Sequence, residues 1–170
     1  DFIQIDAGRE AKIADHDRYG AGSTADTGLS GLAALTFLAA GNTHLEGTHQ
    51  ATTRRALEYL LRAQGTDGNL AGDAAVFEFM YCHGMATIAL SEAYGMTRDP
   101  RLREPVRRAV AYILAAQDPS GGGWRYKRQE PGDTSQLGWQ LLALKSAELA
   151  GISVPPDTWK GVNRFLKSVS

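Results

Sequence analysis

The stretch Arg108-Ala109-Val110-Ala111-Tyr112-Ile113-Leu114-Ala115-Ala116-Gln117 repeats an earlier one, Arg55-Ala56-Leu57-Glu58-Tyr59-Leu60-Leu61-Arg62-Ala63-Gln64, in register at Tyr59 and Tyr112, 53 residues apart. A further step of 53 lands on Phe165, inside Val162-Asn163-Arg164-Phe165-Leu166. A second element keeps the same phase, since Gly31, Gly84 and Gly138 are separated by 53 and 54 residues. Two elements recurring three times at one spacing mark an internal repeat, and each repeat reads as one supersecondary unit stacked on its neighbours.

Each unit reads as a helical hairpin. The patterning predicts helices over about 27–41, 50–64, 79–95, 101–117, 134–150 and 156–168. Gly41-Asn42, Gly95 and Gly151 suit left-handed C-caps, while Pro100 and Pro155-Pro156 stand where helices start. Asp26-Thr27 and Asp133-Thr134 suit N-caps. No stretch sustains the alternation of a strand, so no sheet is expected. The two helices of a hairpin differ in kind. Over 101–117, Leu102, Val106, Ala109, Val110, Ile113 and Leu114 form one stripe, and Arg101, Arg103, Arg107 and Arg108 occupy much of the rest. Leu137, Trp139, Leu141, Leu142, Leu144 and Leu149 instead cover most sides of their helix, as does Met85-Ala86-Thr87-Ile88-Ala89-Leu90. The first helix of each pair is therefore expected inside and the second outside. The expected fold is all-α, with repeats over about 26–77, 78–132 and 133–170 behind an N-terminal extension, 1–25.

The bulk composition agrees with one globular domain: 170 residues, 43% hydrophobic and 22% charged. With 18 basic against 19 acidic residues, charge offers no case for nucleic acid or an anionic membrane. Cys82, the single cysteine, can form no internal disulfide. No apolar run approaches the roughly 18 residues of a membrane span. The chain opens on Asp1 rather than Met, which reads as a processed or excised piece, and the compartment is not legible.

Gln117-Asp118-Pro119-Ser120-Gly121-Gly122-Gly123-Trp124, following Arg108, Tyr112 and Ile113, resembles the QW repeat of squalene and terpene cyclases. Arg55, Tyr59, Gln64 and Gly68 resemble a second copy, with Leu70 roughly where Trp would stand. The likeness covers about residues 26–170 and extends to protein prenyltransferases and to bacterial proteins with prenyltransferase/squalene oxidase repeats. It implies an α/α-toroid, of which three hairpins make half of an (α/α)6 barrel. It also implies structural roles for Gln64, Gln117, Gly121, Gly123 and Trp124. An open arc, or a piece of a longer protein, needs a homodimer partner or further toroid repeats on its end faces.

The resemblance also frames the candidate chemistry. Triterpene cyclases carry an Asp-rich acid motif at an inner-helix start, where Asp26 and Asp133 stand here, each without a second Asp two residues earlier. Such an acid must be kept protonated by its neighbours; a lone Asp suffices to cap a helix. Prenyltransferases hold zinc through Asp-x-Cys and a His. Asp133-Thr134-Ser135 offers Asp-x-Ser, so no metal and no cofactor is expected. His44-Leu45-Glu46-Gly47-Thr48-His49 lacks zincin spacing and reads as a solvated turn. Cys82 and His83 point about 100° apart on a helix, as a buried thiol and a hydrogen-bonded His beside Gly84, with His83 and Tyr81 kept as ligand candidates. The connection 118–133 is long for a helical pair. Its Arg125, Tyr126, Lys127 and Arg128 combine cations with an aromatic, which suits an anionic head group. Phe77, Phe79, Tyr81, Tyr94 and Trp139 could supply an aromatic wall. The site is expected where the inner helices begin, with Asp26, Asp133 and the 124–128 loop on one face and an apolar tail against Trp139 and Leu142. The functional expectation is a repeat domain, non-catalytic as it stands, that binds an apolar, isoprenoid-like molecule or a protein partner. The alternative is a fragment of a terpenoid cyclase or prenyltransferase-like enzyme whose catalytic motif lies outside the chain.

Overall fold

The computed structural model describes residues 24–170, so the extension expected over 1–25 lies almost wholly outside the described residues. Among the described residues the chain is all-helical, with six helices and no strand: α1 (Asp26–Ala39), α2 (Gln50–Ala63), α3 (Val76–Thr97), α4 (Pro100–Ala116), α5 (Thr134–Leu149) and α6 (Pro156–Ser168). None of these helices is long and apolar enough to cross a membrane.

Local signals set most of the ends. Asp99 and Asp133 cap α4 and α5, their carboxylates accepting from Arg101 N and Gln136 N, and prolines open α4 and α6. Gly41 and Gly151 turn left-handed after α1 and α5, with φ 78° and 87°. Two expected caps are corrected. Gly95 lies within α3, which runs on to Thr97 and closes at Arg98, a non-glycine residue with φ 54°. Gly95 faces Ala150, the residue that closes α5, so its smallness serves packing between helices rather than chain reversal. Asp26 sits inside the first turn of α1; the cap position is Ala25, with no side-chain bond.

Helices α1, α3 and α5 form one layer in which sequence numbers rise together along neighbours. Gly28 lies beside Cys82, Gly31 against Met85 and Ala86, and Gly84 against Trp139 and Gln140. The three helices are therefore parallel, each meeting the next one repeat later. A Cβ on Gly31 would stand 3.0 Å from the backbone of Met85 and Ala86, which is why this contact takes glycine. Helix α2 packs on α1 and α4 on α3. The third pair is looser in its backbone: Trp159 of α6 donates to Glu148 of α5 at 3.0 Å, and Lys145 covers the Trp159 ring at 3.9 Å.

The core runs between the layer and the second helices, with Leu57, Leu60, Leu90, Val106, Ile113, Trp124 and Leu144 fully buried or nearly so. Helix α4 buries the stripe read from the sequence except Leu114, which is half-buried, and α2 keeps one wet face with only Thr53, Leu57 and Leu60 buried. The turns tie each pair to the next. His44 Nε2 meets Asp99 Oδ2 at 2.9 Å, and the Arg98 guanidinium donates to Ala150 O. Burial of His44 corrects the reading of 44–49 as wholly solvated. Leu45 to His49 are exposed, but His44 is folded under them because Asp99, one repeat ahead, supplies its partner.

Candidate functional site

Two glutamines at helix ends build the loops that carry the site. Gln64 Nε2 donates to Gly68 O at 3.2 Å and Pro105 O at 2.9 Å. Gln117 Nε2 donates to Gly122 O at 2.8 Å and Thr158 O at 3.1 Å. The four acceptors correspond at the repeat spacing, so each glutamine clamps its own loop onto the first turns of the next pair's second helix. Gly68 and Gly122 have φ 94° and 87°, and a Cβ there would fall within 2.4 Å of Arg108 O and 2.1 Å of Gly161 O. Gly122, the conformationally demanding glycine, was not singled out from sequence; its spacing from Gly68 was the available signal. Gly123 backs onto the Phe165 ring and Gly132, while Gly121 faces only the Asp118 carboxylate. Trp124 is fully buried, its Nε1 donating to Ile113 O at 2.8 Å.

From Trp124 the loop emerges between fixed points, since Gln129 N donates to Ala116 O and Asp133 N to Trp124 O. It brings Tyr126 edge-on to Phe77, centroids 5.2 Å apart, and 6.4 Å from Tyr81. Arg125 lies over the Tyr126 ring at 5.5 Å and Arg128 over Tyr112 at 5.2 Å. Among the described residues the side chains of Arg125, Lys127 and Arg128 form no hydrogen bond and no ion pair, so their N–H donors are unused. Two hollows flank Tyr126. One, about 320 Å³, is walled by Val76, Phe77, Arg125, Lys127 and Glu130; the other, about 480 Å³, by Ala74, Phe79, Tyr112, Lys127 and Arg128. Asp133 belongs to the same corner through Tyr81 Oη, 2.6 Å from Ser135 Oγ, which donates to Asp133 Oδ1 at 2.6 Å. Asp26 opens the neighbouring helix α1, in a separate hollow of about 430 Å³ with Thr24, Tyr59, Arg62 and Asn69.

Burial works to raise the Asp133 carboxyl, but the hydrogen bonds from Ser135 and Gln136 outweigh it and hold it below the ordinary aspartate value. A carboxylate so held is a cap, not a stored proton. Asp133→Ala is expected to cost about 1 kcal/mol through the lost cap, whereas Asp26→Ala should change stability by only a few tenths, roughly the helix-dipole term. Thermal melts of the two variants check this contrast.

A further hollow, about 400 Å³ and mostly apolar, crosses the helix layer. Its walls are two rows at the repeat spacing: Leu35, Ile88 and Leu142, and Ala39, Glu92 and Ser146, with Trp139 at one side. On α3 these positions lie roughly opposite His83, whose Nε2 meets Ala109 O of α4, and opposite the buried Thr87 and Leu90. Eleven residues separate Ile88 from Phe77, so the groove begins roughly 16 Å along the helix from the cationic corner.

The remaining candidates lie elsewhere. His83 is fully buried: Leu70 N donates to Nδ1 at 2.9 Å, and Nε2 lies 3.2 Å from Ala109 O. It has no atom left to offer a ligand, and this corrects its place among the ligand candidates. Cys82 is buried against Gly28, and burial pushes its thiol up. Tyr94 flanks Arg98 at the far end of α3. His44 and Asp99 form a buried pair that was not read from sequence; hydrogen bonds from Arg101 hold the Asp99 carboxyl far below its ordinary range. Arg101, Arg54 and Glu58 surround a neighbouring hollow of about 290 Å³. Among the described residues no three His, Cys, Asp or Glu side chains converge as a metal site. No family model, curated protein or solved structure matches the chain.

Proposed function

We propose that this chain is a toroid-type helical repeat domain that binds an amphiphile with an anionic head and an isoprenoid-like tail, without transforming it. The head sits at Arg125, Lys127 and Arg128, and the tail runs past Phe77 and Tyr81 into the groove at Ile88, Trp139 and Leu142. The observation carrying this reading is the apolar groove built from matching positions of three repeats, with unpaired cations at the end where its helices begin. Apolar ligand sites of this size with a few convergent polar groups are the usual small-molecule pattern. The loop from Gln117 to Trp124, clamped at both of these residues, supports the likeness to cyclase and prenyltransferase repeats. The non-catalytic part rests on Asp133 being committed to its cap and on Asp26 being exposed.

Titration of labelled protein with farnesyl diphosphate, farnesol and inorganic pyrophosphate tests the reading. Amide shifts with farnesyl diphosphate are expected at both Arg125–Arg128 and Trp139–Leu142, with Trp139→Ala weakening binding by about tenfold, 1.4 kcal/mol. Absence of shifts at millimolar ligand, or shifts confined to the second-layer helices, would overturn it.

A further inference from the structure

Position by position along the three layer helices, two faces have no neighbour among the described residues. On α3 the residues turned toward α1 are Cys82, Ala86, Ala89 and Ala93, all buried. One repeat later, Gln136, Gln140, Ala143 and Ala147 of α5 are buried against α3 in the same way. Their counterparts are Leu29, Ala33 and Thr36 of α1 and Ala40, which closes it, and all four are exposed. The opposite flank gives the mirror result. Gly31 and Gly84 are closed over by the next helix, a Cβ meeting backbone or side-chain atoms at 3.0 Å and 3.2 Å, yet Gly138 has nothing within 4 Å. Ile88 is 7% exposed, whereas its equivalent Leu142 is 57% exposed, and Leu149 near the end of α5 is 81% exposed.

From this we infer that the open flank of α5 is a docking face for the open flank of α1 on a second copy of the chain, joined head to tail. Gly138 of one copy would then meet Leu32 and Ala33 of the next, as Gly31 meets Met85 and Ala86 and as Gly84 meets Trp139 and Gln140. The argument for this occupant is continuity. The chain carries both halves of the joint it already uses twice, at opposite edges of one layer, and no described residue covers either. The stripe Leu29, Ala33, Thr36 and Ala40 is uncharged, as are Ser135, Gly138, Leu142 and Leu149 facing it. Lys145 departs from the pattern, since Leu38 and Ser91 hold its place in the earlier helices. Its ammonium group is drawn off to Glu148, at 2.8 Å, and over the Trp159 ring. The joint is heterologous, so it either closes a ring or extends a filament. The joint shares Leu142 with the ligand groove, but its test stands apart from the ligand reading, because it is read without ligand and through Ala33 and Gly138, which hold neither head nor tail.

Sedimentation equilibrium of the 170-residue chain at micromolar concentration tests the joint. The unaltered chain is expected at twice its own mass or more, and Gly138→Arg and Ala33→Glu should each be monomeric. An equimolar mixture of the two variants should recover a dimer, because one intact α5 face still meets one intact α1 face. Both positions are exposed and Gly138 has room for a side chain, so unchanged circular dichroism and melting temperature will show that the variants fold. A monomeric unaltered chain would overturn the proposal, as would a continuation of the same polypeptide seated on the α5 face. Self-association of Ala33→Glu alone would overturn it too, since it would reveal a symmetric α5–α5 contact instead.

Discussion

Trp124→Ala is expected to lower stability by about 3–5 kcal/mol, the range for emptying a fully buried large aromatic position. For a chain of this size that corresponds to a fall in Tm of roughly 6–20 °C. The loss has two parts: the indole is completely enclosed, and its Nε1 satisfies Ile113 O at 2.8 Å, whereas the backbone carbonyl that accepts from Asp133 N is kept by the alanine. Removing the ring leaves a cavity in the core beside Ile113 and loosens the loop that holds Tyr126 against Phe77. Trp124→Phe separates the terms, because it keeps most of the apolar contact and loses only the indole donor, at a cost of about 1 kcal/mol. A melting temperature for Trp124→Ala equal to that of the unaltered chain would show that the ring does not support the fold.

The second large effect is acid destabilisation through His83. Burial pushes this imidazole down to about 4, against the upward pull of its hydrogen bond to Ala109 O and of Asp67. The geometry agrees: Leu70 N–H points at Nδ1, so a proton there would set two donors against each other. The unfolded chain binds that proton near the ordinary value of 6.5, above the folded value. Stability from His83 is therefore complete above about 6.5 and is lost as the pH falls toward 4. At 1.36 kcal/mol per unit the loss is roughly 3 kcal/mol. Urea denaturation at pH 7 and pH 4 measures it. His83→Gln should start less stable at pH 7 and lose less across this window. Equal stability of the unaltered chain at both pH values would sink the argument.

The helix ends show where reading from sequence succeeds and where it stops. Asp133, Pro100, Pro156, Gly41 and Gly151 act through backbone groups within a turn of themselves, so their meaning travels with the chain. Gly95 has the same composition signal and a different cause, the approach of Ala150 from another helix, and local logic misassigned it. The same distinction divides the candidate site. The cations and aromatic of 125–128 were legible because a long loop rich in both stands out. That Tyr126 rests on Phe77, and that Asp133 reaches Tyr81 through Ser135, needed two helices brought side by side.

By itself the sequence determined the class of the elements, their spans within a few residues and the 53-residue register, because periodicity and caps are short-range properties of the backbone. Tertiary structure alone decided which polar groups are buried and with whom. His44 and Asp99 lie 55 residues apart in the chain and 2.9 Å apart in space. Leu70 and His83 likewise meet only because α3 folds back under the loop before it. Three glycines in identical phase also acquire different meanings, Gly31 and Gly84 being closed contacts and Gly138 an open one. The reason is physical: a repeat specifies the same side chain each time, but burial depends on whether a neighbour arrives, and that is a property of position in the array.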